Sequence, residues 1–299
     1  MMNLLENCTL CPRNCNVNRL KNEVGFCKGK DKVKVARAAL HFWEEPCISG
    51  EKGSGTVFFS NCTLRCVFCQ NNEISQCESG KEISIERLSE IFLELQKKGA
   101  LNINLVTPTH YVLQIIEALK IAKEKGLVLP IIYNSSGYEK VETIRLLKGY
   151  IDVYLPDLKY YSSKYSVKYS KASNYFDFAS KAIDEMIKQV GDVKFNKEGI
   201  IEKGVIVRHL LLPGLLFDSK KILDYLYKTY GDKIYISIMN QYTPLKHVEN
   251  YPEINKKISL KYYETIIDYA VSIGIKNGFI QEEGTAKESF IPHFDYEGV

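Results

Sequence analysis

The sequence predicts an α/β chain, built as a partial (β/α)6 barrel with a small cysteine-rich module at its N-terminus. Three observations carry this. From residue 55 onward, short apolar runs alternate with longer helix-period segments. All nine cysteines fall between Cys8 and Cys77, in short spacings. A length of 299 residues with 45% apolar content suffices for one large barrel core.

The first element is the cysteine block Cys8-x2-Cys11-x3-Cys15-x11-Cys27. Four cysteines opening on C-x2-C suit a tetrahedral zinc site or an iron–sulfur cluster. Pro12, Asn14, Asn16 and Gly25 supply turns, and the module has too little core to fold without metal. A structural staple is favoured over a redox relay. Residues 1–54 comprise this module and its lead-in. Within the lead-in, His41 and Trp43 either line a pocket or pack in the core. Cys47, after Glu44-Glu45-Pro46, reads as a structural cysteine, with a hydrogen-atom donor or extra ligand as the alternative.

The barrel is expected over 55–283. Its strands are GTVFFS (55–60), LNINLV (101–106), LVLPIIYN (127–134), IDVYLPDL (151–158), GVIVRHLLL (204–212) and KIYISIMN (233–240), each bounded by turn formers. Amphipathic helices are expected at 85–99 and 111–126. In the second, Val112, Ile115, Ile116, Leu119 and Ala122 share a face, and Gly126 suits the stop. Right-handed crossovers curl such units toward a barrel, with the chemistry on the loops after the strands. Those loops hold NCTLRCVFCQ, TPTHY, NSSGY, PDLKYY, LPG and QYTP. The tyrosine- and lysine-rich stretch 160–178 is expected to be a solvated connection, or else a substrate-facing flap, before a helix at 178–190. Residues 284–299 lack periodicity and should form a tail packed across the barrel or partly disordered.

A net charge of +4 with both signs interspersed gives no reason to invoke nucleic acid. No apolar run reaches membrane-spanning length, and the N-terminus lacks a signal-peptide pattern. A soluble cytoplasmic protein is expected, in which clustered cysteines are metal ligands rather than disulfides. The chemically pointed cluster is Cys62-x3-Cys66-x2-Cys69, directly after the first barrel strand. A [4Fe–4S] cube normally takes four thiolates. Three leave one iron open, as the open position of catalytic zinc receives substrate.

This motif, with Phe68 before its last cysteine, resembles the signature of the radical S-adenosylmethionine (SAM) superfamily. The resemblance implies a TIM-like radical SAM barrel whose open iron chelates SAM, with cleavage to a 5′-deoxyadenosyl radical that abstracts hydrogen from substrate. It implies that Phe68 lies against the adenine. NSSGY (134–138), DVYLPDLKY (152–160) and VRHLLLPG (207–214) resemble segments of pyruvate formate-lyase activating enzymes. By that likeness Asn134, Ser135, Asp157, Lys159 and Arg208 help bind SAM. Asn134 stands where an aspartate is usual, and TPTHY replaces a glycine-rich segment, so Thr107 and His110 take over the contact to the methionine amino group, or else His110 caps the following helix. The N-terminal block resembles the activating enzyme-related branch, which implies a reductant such as flavodoxin or ferredoxin. The substrate is then a protein glycine, as in glycyl-radical enzyme activation, or else a small molecule or a different macromolecule. The competing reading is an iron–sulfur electron-transfer protein without SAM chemistry, which needs Cys47 or Cys77 as a further ligand. A zinc-stabilised binding module is the third reading.

Overall fold

The computed structural model describes residues 3–77, 79–281 and 292–299. Its strands are β1 (Val33–His41), β2 (Ser54–Phe59), β3 (Lys81–Ile83), β4 (Ile103–Val106), β5 (Ile131–Ser135), β6 (Val153–Pro156), β7 (Lys194–Phe195), β8 (Ile201–Leu210), β9 (Tyr235–Met239) and β10 (Gly278–Ile280). The sheet runs β10-β9-β8-β6-β5-β4-β2-β1-β3, with β7 paired to β8 off this path. All neighbours from β2 to β10 are parallel. Six of these strands fall where alternation placed them; β10 adds a seventh. Among the described residues the sheet does not close on itself, so the barrel is partial.

The helices are α1 (Asn3–Glu6), α2 (Pro46–Ser49), α3 (Asn72–Ser75), α4 (Ile85–Lys97), α5 (Val112–Glu124), α6 (Val141–Leu146), α7 (Ser163–Ser170), α8 (Tyr175–Val190), α9 (Leu216–Tyr230) and α10 (Leu260–Ser272). Helix α4 starts where Ser84 Oγ accepts the Arg87 N–H at 3.1 Å, satisfying an orphan first-turn donor. Its Leu88, Ile91, Phe92 and Leu95 form one buried stripe in a core shared with Val57 and Phe59 of β2. Each such side chain contributes roughly 1.5–3 kcal/mol of burial. Alternate β2 residues therefore face the helices, while Thr56 and Phe58 face the barrel interior.

The lead-in to the barrel contains β1, which pairs antiparallel with the whole of β2, from Val35↔Phe59 to His41↔Ser54. An antiparallel neighbour begins where its partner ends. Ser60 N accordingly donates to Lys34 O at 2.9 Å, and the cysteine module before β1 emerges beside the loop that follows β2. Beyond β1, residues 44–49 enter the other end of the barrel. There Cys47 and Ile48 pack with Ile132, Val153 and Ile201 near the starts of their strands and with Ile206 in the middle of β8.

The stretch 160–178 departs from the solvated connection expected. It contains α7, and α8 begins at Tyr175. The buried residues of α7 are Ser166, Tyr169 and Ser170. A polar–aromatic buried face carries no apolar period, which is why the pattern read as solvated. Of the expected tail, residues 284–291 lie outside the described residues. Residues 292–299 run beside β1, with Tyr296 N on Ala36 O (3.2 Å) and Ala38 N on Glu297 O (2.8 Å). Phe294 meets the Phe58 ring edge-on at 5.5 Å.

Candidate active site

The cysteine turn leaves β2 through Asn61, whose φ of 75° lies in the left-handed region that asparagine tolerates better than most residues. Asn61 N donates to Ile74 O at 2.7 Å, closing the turn onto α3. From the far side, the end of α7 supports it: Arg65 N donates to Ser170 O (3.1 Å) and Val67 N to Tyr169 O (2.8 Å). The supposed connection is thus a wall of the site.

Each of the three sulfurs has a hydrogen-bond partner. Ser170 Oγ donates to Cys66 Sγ at 3.0 Å, and Tyr160 OH lies 2.7 Å from Ser170 Oγ. Ser75 Oγ is 3.3 Å from Cys69 Sγ, and Leu64 N donates to Cys62 Sγ at 3.4 Å. Burial pushes the Cys62 thiol up to about 12, with the Cys66 and Cys69 charges adding to it. Cys66 rises to about 11, mainly through burial, while the Lys159 ammonium pulls it back. The bare thiols are therefore protonated at neutral pH, and ligation must release those protons.

The strand ends bring further groups to this rim. Asn134, at the end of β5, sits in register with Val106 and Leu155, and its carbonyl accepts the Thr107 N–H at 2.9 Å. Thr107 has a φ of 60°, an outlier for a β-branched residue, and such strain concentrates at functional sites. Ser135 Oγ accepts the Gly137 N–H at 3.3 Å. Asp157 and Lys159 form a partly buried ion pair beside Cys66 and Cys69. The Phe68 ring is buried and meets Tyr242 edge-on at 6.1 Å. The loop after β9 closes the circle, since Gln70 Nε2 donates to Gln241 O at 2.9 Å. Asn240 Oδ1, Thr243 Oγ1 and His247 Nε2 are buried there without a partner, as expected of a lining that receives a ligand.

Two of the sequence-derived residues are engaged elsewhere. His110 Nε2 bonds Ser60 O at 2.8 Å, and its ring stands against Gly29 of the N-terminal module. Burial lowers it to about 3, so it is neutral. Arg208 points into the barrel, where Nε meets Glu45 Oε1 at 2.8 Å, Nη2 meets Glu45 Oε2 at 2.6 Å, and Nη2 also pairs with Glu44. Asn104 Nδ2 donates to Glu44 Oε1 at 2.9 Å. Burial opposes the Arg208 charge, but Glu44 and Glu45 outweigh it and hold the guanidinium well above its ordinary range. The sequence had drawn notice to Glu44 and Glu45 only as neighbours of Cys47.

Beside this interior, His41, Trp43, Phe58, Arg37 and His293 line a cavity of about 330 Å³. Trp43 is 60% exposed and is not a core residue. Cys47 is buried in an apolar cluster at the opposite end of the barrel from the cysteine turn, and Cys77 is exposed with its thiol on Asn72 Oδ1 at 3.3 Å. Cys47 therefore does not approach the position of a fourth ligand suggested by the electron-transfer reading, and the Cys77 thiol is turned to Asn72.

The second cysteine group is folded on turns. Cys8 N donates to Val17 O and Asn16 N to Cys8 O, both at 3.0 Å, while Asn14, Asn16, Asn22 and Lys28 take positive φ. Phe26 N donates to Cys15 Sγ (3.3 Å) and Gly29 N to Cys27 Sγ (3.4 Å). Burial raises Cys11 well above the ordinary thiol range, and Cys27, Cys15 and Cys8 all lie near enough to raise it further. Among the described residues, no three His, Cys, Asp or Glu side chains already stand at metal-binding separations, so ligation in either group would require the thiols to turn inward. The donor sets suit the groups in question: three soft thiols with N–H and O–H donors at the sulfurs for a cluster, and four for a closed site.

Residue Glu139 escaped the sequence reading. It is wholly buried, with Oε1 accepting from Thr109 Oγ1 at 2.6 Å and Oε2 without a partner. Burial lifts it to about 7.

Comparison with known proteins bears on the same region. The family model described as "Radical SAM superfamily" matches residues 56–226, more than half of the chain. An uncharacterized protein of Methanocaldococcus jannaschii is 32% identical over 278 residues, 90% of this chain and 75% of that protein. The pyruvate formate-lyase-activating enzyme of Clostridium pasteurianum is 30% identical over 175 residues, 55% of this chain and 64% of the enzyme. In fold, the chain is similar to Streptococcus suis SuiB bound to S-adenosylmethionine, with a TM-score of 0.52 and 18% identity over 75% of this chain and 49% of SuiB. It is also similar to HydG, a maturase of the [FeFe]-hydrogenase, with a TM-score of 0.53 and 15% identity over 77% of this chain and 52% of HydG. No described helix is long and apolar enough to cross a membrane. The three-cysteine turn thus lies inside the matched region, after its first parallel strand, and the chain belongs to the radical SAM superfamily.

Proposed function

We propose that this chain is a radical SAM enzyme in which Cys62, Cys66 and Cys69 hold a [4Fe–4S] cluster and leave one iron for SAM. The observation that carries this reading is the single turn bearing three thiols, each with a hydrogen-bond partner, at the C-terminal end of the first parallel strand. When bound, the cluster supplies the electron that cleaves SAM to methionine and a 5′-deoxyadenosyl radical, which abstracts hydrogen from substrate.

The chain's own residues bind and orient. Phe68 offers a buried flat face to the adenine, and Asn134 and Ser135 offer an amide and a hydroxyl at the rim. The Asp157–Lys159 pair presents both signs of charge to the zwitterionic methionine moiety. Of the residues after β4, Thr107 remains the proposed SAM contact, while His110 fixes the Ser60 carbonyl. Arg208 acts through Glu44 and Glu45 as the floor of the pocket. Cys8, Cys11, Cys15 and Cys27 hold a second metal, as zinc or iron–sulfur, in a structural role. A flavodoxin- or ferredoxin-type protein is the proposed reductant.

For the substrate, the half-open hollow of about 330 Å³ lined by His41, Trp43 and Phe58 has room for a small molecule, the first reading. The relative named for pyruvate formate-lyase activation favours the second reading, a protein glycine. The decisive experiment is anaerobic reconstitution, reduction with dithionite and addition of SAM. Formation of 5′-deoxyadenosine is the expected result. Its absence from a chain with a spectroscopically intact cluster would overturn the reading.

A further inference from the structure

Two arginines cross between the cysteine groups. Arg13, between Cys11 and Cys15, donates from Nε to Thr63 O at 2.9 Å and from Nη1 to the Lys171 carbonyl. Arg65, between Cys62 and Cys66, reaches the other way and donates from Nη2 to the Phe26 carbonyl beside Cys27. Its Nη1 also bridges the Cys62 and Leu64 carbonyls at 2.8 and 2.9 Å. Both guanidinium carbons lie over one ring, Phe26, at 3.7 and 4.7 Å from its centroid. The backbone of each cysteine segment is therefore held by a side chain of the other.

Two like charges on one ring repel, and carbonyl dipoles and the ring face only partly offset this. None of the ion pairs among the described residues involves Arg13, Arg65 or the buried Arg19. Arg13 Nη2 is buried with no hydrogen-bond partner, although its guanidinium also lies over the Tyr138 ring at 5.2 Å. The groups able to supply the missing negative charge are the cysteines, which ligate metal only as thiolates. Between Asn61 and Asn71 the turn has no regular secondary structure, so contacts of this kind decide its shape.

We propose that Arg13, Phe26 and Arg65 form a clamp through which metal held by Cys8, Cys11, Cys15 and Cys27 fixes the turn that carries Cys62, Cys66 and Cys69. The proposal rests on reading both groups as metal sites. All three are positioning residues; none is a ligand. Losing the clamp loosens the turn without removing a sulfur from it.

The test uses the full, anaerobically reconstituted chain and follows the rate at which an iron chelator removes the SAM-responsive EPR signal. Arg13→Lys keeps the charge but loses the planar fork, and Phe26→Leu removes the shared ring. Both are expected to retain metal at the N-terminal group and to lose the cluster roughly tenfold faster, as for a lost hydrogen bond from a charged group. Cys11→Ser, which empties the first group, should act similarly, and adding Arg13→Lys to it should change little more. Unchanged loss rates in Arg13→Lys and Phe26→Leu overturn the clamp, as do effects of Cys11→Ser and Arg13→Lys that simply multiply. A normal SAM-responsive cluster in a chain with no second metal overturns it as well. An unsubstituted chain that takes up no such cluster overturns the functional reading and the clamp together.

Discussion

Cys62, Cys66 and Cys69 follow directly from a strand buried on both faces, whereas Cys8, Cys11, Cys15 and Cys27 hang on turns with four positive-φ residues among them. The first group inherits its position from the sheet, with α3 and α7 as walls. The second has only a small apolar cluster beneath it, Leu5 and Leu10 packed on Leu113 of α5, and is otherwise held by polar ties such as Arg19 Nη1 to His110 O at 2.6 Å. Neighbouring sites of one ligand chemistry thus differ in how much of their geometry survives without metal. On the proposed reading, one would need metal to react and the other would need it to fold.

The largest expected effect separates the two groups outright. Cys66→Ala should abolish the SAM-responsive cluster and all 5′-deoxyadenosine formation while metal at the N-terminal group persists, as read by metal content per chain. Loss of both metals would show that the dependence runs in both directions. Removing all metal should next expose the difference in foundations. Amides of residues 8–30 are expected to lose most of their hydrogen-exchange protection, while those of β2 and β4 keep theirs. Equal loss in both regions would erase the contrast.

A smaller effect concerns tuning. Hydrogen bonds to ligating sulfurs raise a cluster's reduction potential. Ser170→Ala removes the donor on Cys66 Sγ and should lower the midpoint potential by on the order of 40 mV, the one-electron equivalent of about 1 kcal/mol. An EPR-monitored redox titration reads this directly. An unchanged potential would mean that the hydroxyl turns away when the cluster is bound.

The smallest effect lies in the scaffold behind the rim. Glu139 titrates near 7 when folded, against 4.5 for its ordinary value. Between those pH values the folded chain holds a proton that the unfolded chain has released, so stability falls as pH rises through the window and then levels off. Glu139→Gln removes that penalty. It should raise the melting temperature by roughly 2–6 °C at pH 8 and leave it nearly unchanged at pH 5. A shift equal at both values would contradict the protonated carboxyl.

Much of the scaffold was legible because parallel strands announce themselves. GTVFFS and LNINLV are short, apolar and flanked by turns, and the three cysteines after the first have few other uses. The antiparallel β1 was not, since VKVARAALH has alanines and an arginine where β-branched residues would signal a strand, and it follows a cysteine block that draws the boundary elsewhere. Strand β10 is too short to show a period. Within the site, Ser170 and the Arg13–Phe26–Arg65 stack depend on contacts between residues far apart in sequence, which no local pattern encodes. The burial of Glu139 is likewise a property of the packed protein. Arg208 was found by likeness, but its glutamate partners come from a segment whose path through the barrel only tertiary structure reveals.

The antiparallel pairing of β1 with β2 also acts as a tether. It anchors the cysteine module by its last residue, within a few ångströms of the turn it contacts. A module that unravels remains attached at that point, at an effective concentration in the millimolar range. Its return is then an intramolecular event, so its contacts can be lost and regained many times without the module leaving the barrel.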